Sequence, residues 1–293
     1  QREAFKKEFG FPLRGWSSDI EDDPKNISVC AEILNREDVE RPFTLDTLRI
    51  RSDSYLRKSL LDQIHASPFF NEPSGYYFND IVVVKDVDRN TLHHEIKHAK
   101  TFDIIKENKD FLNKWKDLAK DKNGNSLYLN VGEQVCYWVN GLENIISKDK
   151  LDASANEKLG FVRSYGRNNV FEDIATICEE AESNESKFAR WLFDGDQRNE
   201  IIAKKIALAE EYHLIPAGFS EFVKLKQTEQ GCYDDHCINW NNALEYIKES
   251  DGLLEKYPNS VYKGELHSKR AFLMSAGNSN SFVVNKLDSE TAD

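Results

Sequence analysis

The chain has 293 residues, 40% hydrophobic and 31% charged, with a formal net charge of −12, which is an ordinary globular composition with length for one large domain or two smaller ones. No apolar run approaches the roughly 18 residues that a membrane span needs, and no Lys/Arg cluster is free of neighbouring acids. These facts exclude a membrane-embedded enzyme and argue against nucleic acid or an anionic membrane as partner.

Residues 1 to 40 are charged and carry Pro12, Pro24 and the run Glu21-Asp22-Asp23, which predicts an extended or partly helical lead-in rather than core. Only Phe9–Leu13 and Val29–Leu34 look packed. The start at Gln1, without Met or an apolar leader, fits a removed signal peptide or a trimmed start. The expectation is a secreted or periplasmic protein, with a cytoplasmic one as the alternative. Asn26 and Asn184 open sequons that matter only if the source glycosylates.

From Phe43 to Ile50 apolar and polar residues alternate as in a half-buried strand, and Ser54–His65 has helical spacing. Pro68–Gly75 is turn chemistry. The most β-prone segments follow, Tyr76-Tyr77-Phe78 and Ile81–Val84. Tyr76–Phe78 is the candidate for an edge strand that pairs with an extended substrate backbone.

Next comes a helix, with Asn90 or Thr91 as its expected N-cap, bearing H-E-x-x-H as His94-Glu95-Ile96-Lys97-His98. Random ordering of this composition gives on the order of 0.02 such matches. Residues four apart stand one above the other on a helix, so His94 and His98 can aim two imidazoles at one ion while Glu95 projects beside it. That is the start of a zinc hydrolase site: two ligands and a general base. Zinc suits neutral imidazole, and with three protein ligands it keeps a position for a water whose pKa it lowers towards neutrality. A solvated helix that happens to carry His is the alternative. His93 faces away from the stripe, in a packing or supporting role.

Helices are predicted over Asp103–Lys120 and Glu133–Ser147, forming a floor beneath the metal. Gly160–Thr176 supplies the second informative stretch. Glu172 lies in the first turn of an amphipathic helix capped by Asn168 or Asn169, and can complete a His2Glu set from downstream. A carboxylate that merely complements the helix dipole is the competing role, and Asp173 fits it equally. Tyr165, seven residues before Glu172, could turn its phenol over the metal to steady an oxyanion. Arg163 and Arg167 flank it, either for substrate or as surface residues.

H-E-x-x-H followed by Tyr-x6-Glu and an acidic-apolar helix resembles the gluzincin metallopeptidases, and the Tyr-to-Glu spacing is similar to that of the anthrax-lethal-factor-like and proline-proline endopeptidase group. The resemblance covers roughly residues 76 to 182 and rests on two short motifs. It implies His94, His98 and Glu172 as zinc ligands, Glu95 as base and Tyr165 as oxyanion stabiliser in an endopeptidase acting on peptide or protein substrates. One departure is plain: where helices of this kind often carry an acid one turn after the ligand, this chain has Thr176, leaving Asp173 or Glu179 to orient a histidine.

Past Ser183 the chain turns wholly helical, through Lys187–Phe193 and Asp196–His213 with Asp196 as N-cap, then Trp240–Tyr257 and Ser260–Leu273. The last pair resembles a single tetratricopeptide-type hairpin without a repeat to extend it. Of the cysteines, Cys136 and Cys178 sit in apolar helical patterns. Cys232 and Cys237 bracket a polar loop, where a small disulfide ranks first, free thiols second and a metal site with His236 third. The fold class expected is therefore α+β. A zincin-like domain over residues 1–185, with a small mixed sheet and the active-site helix over a helical subdomain, precedes an all-α region over 186–274 and a tail over 275–293. The competing class is a helical binding or scaffold protein with a vestigial or structural zinc site, which would have no use for a base at Glu95.

Overall fold

The computed structural model describes residues 2–15, 23–40, 43, 45–51, 75–78, 81–85, 88–129, 153–195, 198–234 and 237–277. The expected helices over Ser54–His65 and Glu133–Ser147 lie outside the described residues. Two compact units form. One is Gln1–Ser183 with Asn199–Leu214, the other Asn184–Arg198 with Ile215–Asp293.

The first unit is mixed. Helices α1 (Arg2–Phe9) and α2 (Pro24–Glu40) accompany a sheet of β1 (Leu13–Gly15), β2 (Thr47–Arg51), β3 (Gly75–Phe78) and β4 (Ile81–Lys85). Its order is β1-β2-β4-β3. β1, β2 and β4 run parallel, in register at Leu13↔Leu48 and Leu48↔Val82, and β3 closes one edge antiparallel to β4 with Tyr76 opposite Val83.

The period of two in these strands sends Leu48, Ile50, Val82 and Val84 to one face, where they bury against Leu92, Ile96 and Ala99 of α3 (Arg89–Glu107). Phe5, Phe11, Leu13, Ile27, Cys30, Ile33 and Leu34 belong to the same cluster. The two segments expected to pack, Phe9–Leu13 and Val29–Leu34, do so, and Phe5 and Ile27 join them; the lead-in also contains the strand β1, which its charge did not suggest. Glu3, Lys6, Lys7, Glu8, Lys25 and Glu32 are exposed on α1 and α2, and charge content does not report the buried stripe behind them.

Helix α3 differs from its expected form at both ends. Its cap is Asp88, whose Oδ2 accepts from Thr91 N at 2.9 Å and from Thr91 Oγ1 at 2.6 Å, so Thr91 is the cap's partner. The helix also runs on to Glu107 and breaks at Asn108 before α4 (Asp110–Leu118), so the span Asp103–Lys120 is two helices. From Leu92 to Thr101 every residue but His93 is buried, which places α3 at the centre of the unit.

Further on come α5 (Ala153–Lys158), a 3-10 turn at Ser164–Arg167, α6 (Val170–Ser183) and, after an excursion into the second unit, α8 (Glu200–Glu211). Asn169 caps α6, its Oδ1 accepting from Phe171 N at 2.9 Å and Glu172 N at 3.1 Å. Asn199, not Asp196, caps α8, accepting from Ile201 N and Ile202 N at 3.0 Å each. Gly160 is required twice: its φ of +82° is left-handed, and an added Cβ would stand 2.3 Å from Ile201 Cγ2.

The second unit is helical, with α7 (Glu185–Phe193), α9 (Phe219–Gln230), α10 (Trp240–Lys256) and α11 (Lys263–Gly277) around Phe188, Phe219, Phe222 and Tyr262. Between α9 and α10 a hairpin of β5 (Tyr233–Asp234) and β6 (Cys237–Ile238) pairs Asp234 with Cys237. The expected disulfide is not formed. Cys232 is a free, buried thiol whose Sγ donates to Thr228 O at 3.3 Å, because the register sets its backbone opposite Asn239 instead of Cys237. Burial and the nearby charge of Glu229 push this thiol up to about 11, away from reactivity. Among the described residues no helix is long and apolar enough to cross a membrane.

Candidate metal centre

The site is built where α3 and α6 pack antiparallel. The pairing runs from His94 beside Glu179, through His98 beside Glu172, to Phe102 stacked on Phe171 with ring centroids 5.0 Å apart and planes 7° from parallel. Each helix presents a stripe of period four to the other, so the histidines four apart on α3 meet the first turn of α6.

Three donor atoms converge there. His94 Nε2 lies 3.0 Å from Glu172 Oε2 and 3.2 Å from His98 Nε2, and His98 Nε2 lies 3.5 Å from Glu172 Oε2. A tetrahedral zinc with bonds of about 2.0–2.2 Å sets its ligand atoms about 3.3 Å apart, so the triangle has the size of one face of such a site. The donor chemistry fits as well: two imidazoles and a carboxylate are a hydrolytic zinc set. Among the described residues His94, His98 and Glu172 are the cluster of this kind that could hold an ion, and all three are buried.

The electrostatics are those of a compensated charge cluster. Burial alone would keep His94 neutral, but hydrogen bonds to Glu172 and Glu179 and the charges of Glu172 and Glu95 raise it to about 10. A metal there competes with a proton. Burial holds His98 below its ordinary value, against the pull of Glu172. Burial would raise Glu172, yet the charge of His98 and its bonds to both rings hold it well below the usual carboxylate range.

Glu95 follows His94 on α3 and is 5% exposed. Tyr165 is in the 3-10 turn, its ring centroid 5.9 Å from that of His94 and its side chain 40% exposed. Gly166 permits this placement, since a Cβ there would meet Asp173 Cα at 3.3 Å. The five residues singled out in the sequence thus fall in one place.

Around them are partners that the motif does not name. Glu179 is the acid that meets a histidine, with Oε2 at 3.1 Å from His94 Nδ1, and Arg163 Nη1 meets its other oxygen at 3.1 Å. Glu179 stands two turns after Glu172, hence on the same helix face; that spacing is its only sequence signal. Asp173 points elsewhere. Its Oδ2 accepts from Trp115 Nε1 at 2.8 Å and Tyr128 Oη at 2.7 Å and pairs with buried Lys205 at 2.7 Å. Lys205 lies on the buried stripe of α8 with Ile202, Ile206 and Ala209, a position that no motif in the sequence singles out. His93 pairs with Glu182 at 3.2 Å, and Lys97 joins the same carboxylate while donating to Leu214 O at 2.8 Å.

No protein-family model and no curated relative matches the chain. Among solved structures it is similar to a candidate zinc-binding metallo-peptidase from Bacteroides caccae, at 14% identity and a TM-score of 0.40 over 79% of this chain and 91% of that one. A likeness of that size decides neither fold nor chemistry.

Proposed function

We propose that the chain is a zinc-dependent endopeptidase of gluzincin type, with a zincin-like arrangement of sheet and helix in its first unit. The convergence of His94 Nε2, His98 Nε2 and Glu172 Oε2 beside Glu95 carries the reading. Structural zinc sites have four protein ligands, whereas among the described residues this cluster offers three, the number that leaves a position open for catalysis.

His94, His98 and Glu172 hold the ion. Zinc in such a site acidifies a water and polarises a carbonyl. Glu95 takes the proton of the attacking water and returns it to the departing amine, and the Tyr165 hydroxyl donates to the oxyanion. Strand β3, at the sheet edge and packed beside α3, offers backbone groups to an extended peptide. That is the recognition an endopeptidase needs, because it engages the middle of a chain and requires no terminus.

The test is metal content. Purified protein should hold close to one zinc per chain, and His94→Ala or His98→Ala should lose it, since two remaining ligands cannot hold the ion tightly. Near-stoichiometric zinc in either variant would sink the assignment.

A further inference from the structure

Resting on the zinc-site reading above, we propose that Arg163 is a positioning residue: it fixes the carboxylate of Glu179, and through it the ring of His94. Arg163 lies outside the two motifs, in extended backbone just before the turn that carries Tyr165 (φ −144°, ψ 156°).

Four carboxylates crowd this end of the helix pair. Glu95, Glu172, Glu179 and Glu180 are each 7% exposed or less. Glu172 and Glu95 are committed to the metal and the proton. Glu179 and Glu180 are adjacent and buried, so without a cation they would repel each other and swing out to water. Arg163 holds both. Its Nη1 donates to Glu179 Oε1 at 3.1 Å, and its Nη2 closes a tight ion pair with Glu180 Oε2.

The geometry makes this pairing more than charge balance. A carboxylate held by one hydrogen bond can turn about its terminal torsion. Glu179 is held by both oxygens, Oε1 on Arg163 and Oε2 at 3.1 Å from His94 Nδ1. That fixes the proton on Nδ1 and leaves the Nε2 lone pair towards His98 and Glu172, the orientation a metal requires. The guanidinium fork spans two neighbouring carboxylates with two separate nitrogens. An ammonium is a single point and cannot keep both in place.

The experiment is a competitive titration of the full chain with Zn2+ against a chromophoric chelator, in wild type, Glu179→Ala, Arg163→Ala, Arg163→Lys and the double variant. Partners of a metal-bound histidine are worth about 10–100-fold in affinity. Glu179→Ala and Arg163→Ala should each weaken zinc binding by about that factor, and Arg163→Lys by less. Arg163→Ala should add nothing once Glu179 is gone, because it acts through that residue. The Co2+-loaded Arg163→Ala protein should also show altered d–d bands, which a loss of stability alone does not produce. If Arg163→Ala does not fold, Arg163→Ala with Glu180→Gln, which leaves fewer charges uncompensated, replaces it. Wild-type affinity in the arginine variant, or losses that multiply in the double variant, overturns the inference. A wild-type protein that binds no zinc is a different result and strikes the site itself.

Discussion

At the scale of residues, the contrast between Glu172 and Asp173 is the sharpest. Both are acids in the first turn of α6, and each is 1% exposed, yet a step of about 100° around the helix sends one to the histidines and the other to Trp115, Tyr128 and Lys205. Their variants should therefore fail in different ways. Glu172→Ala should lose zinc while the chain stays folded. Asp173→Ala should keep its zinc but lose about 3–5 kcal/mol in urea unfolding, because Lys205 is left as a buried charge without its carboxylate. Equal zinc loss in the two variants would mean that neither is specifically a ligand. Glu95→Gln should retain zinc and fold while turnover disappears, and Tyr165→Phe should lower kcat by about 10²-fold with KM nearly unchanged. Zinc content with steady-state kinetics on one peptide checks both; wild-type turnover in Glu95→Gln would remove the base. The proposed ligands and base on α3 stood out in the sequence because H-E-x-x-H has a fixed local spacing. Glu172 and Tyr165 were legible through their distance from each other. The pairings of Arg163 with Glu179 and of Lys205 with Asp173 were not, since they join residues far apart in sequence on elements whose contact no local pattern encodes.

At the scale of elements, strands β2, β3 and β4 followed from alternation and β-branched content, α6 from its period and its Asn cap, and α10 and α11 from their hairpin-like pattern. The misses have physical causes. Asp88 precedes Leu92, the first apolar residue of α3, by four residues and was passed over for nearer Asn and Thr, although its carboxylate accepts from both the backbone N–H and the hydroxyl of Thr91. Helix α3 is buried on every side for most of its length, so its pattern does not mark where it stops. Helix α8 provides the pH-dependent prediction. Burial lowers the Lys205 pKa below its ordinary 10.5, against Asp173 and its hydrogen bond, which raise it. Between the folded value and 10.5 the unfolded chain binds more protons, so stability rises with pH across that window. Lys205→Met should lack this rise, so the difference in urea midpoint between the two proteins should shift in favour of wild type as pH approaches 10.5 from below. A constant gap would show that the lysine titrates alike in both states.

At the scale of the whole molecule, the formal charge of −12 includes acids drawn in around the candidate site, five of which meet a cation or an imidazole. In the first unit Glu172 and Glu179 meet histidines, Glu179 and Glu180 meet Arg163, Glu182 meets Lys97 and His93, and Asp173 meets Lys205. Composition reports only the sum, so it could argue against a nucleic-acid partner but not foresee this network. The sheet core beneath α3 is the platform on which the site rests. Ile96→Ala, fully buried between His94 and His98 on α3, should cost about 2–5 kcal/mol in urea unfolding of the metal-free protein. A loss below 1 kcal/mol would mean that α3 is not packed on the sheet as described. The central claim, that this unit cleaves peptides with zinc, is tested most directly by exposing a peptide library to the purified chain, to the chelated chain and to the chelated chain resupplied with zinc. Internal cleavage that stops on chelation and returns with zinc is the predicted result; cleavage indifferent to the chelator, or none from the zinc-loaded protein, would contradict it.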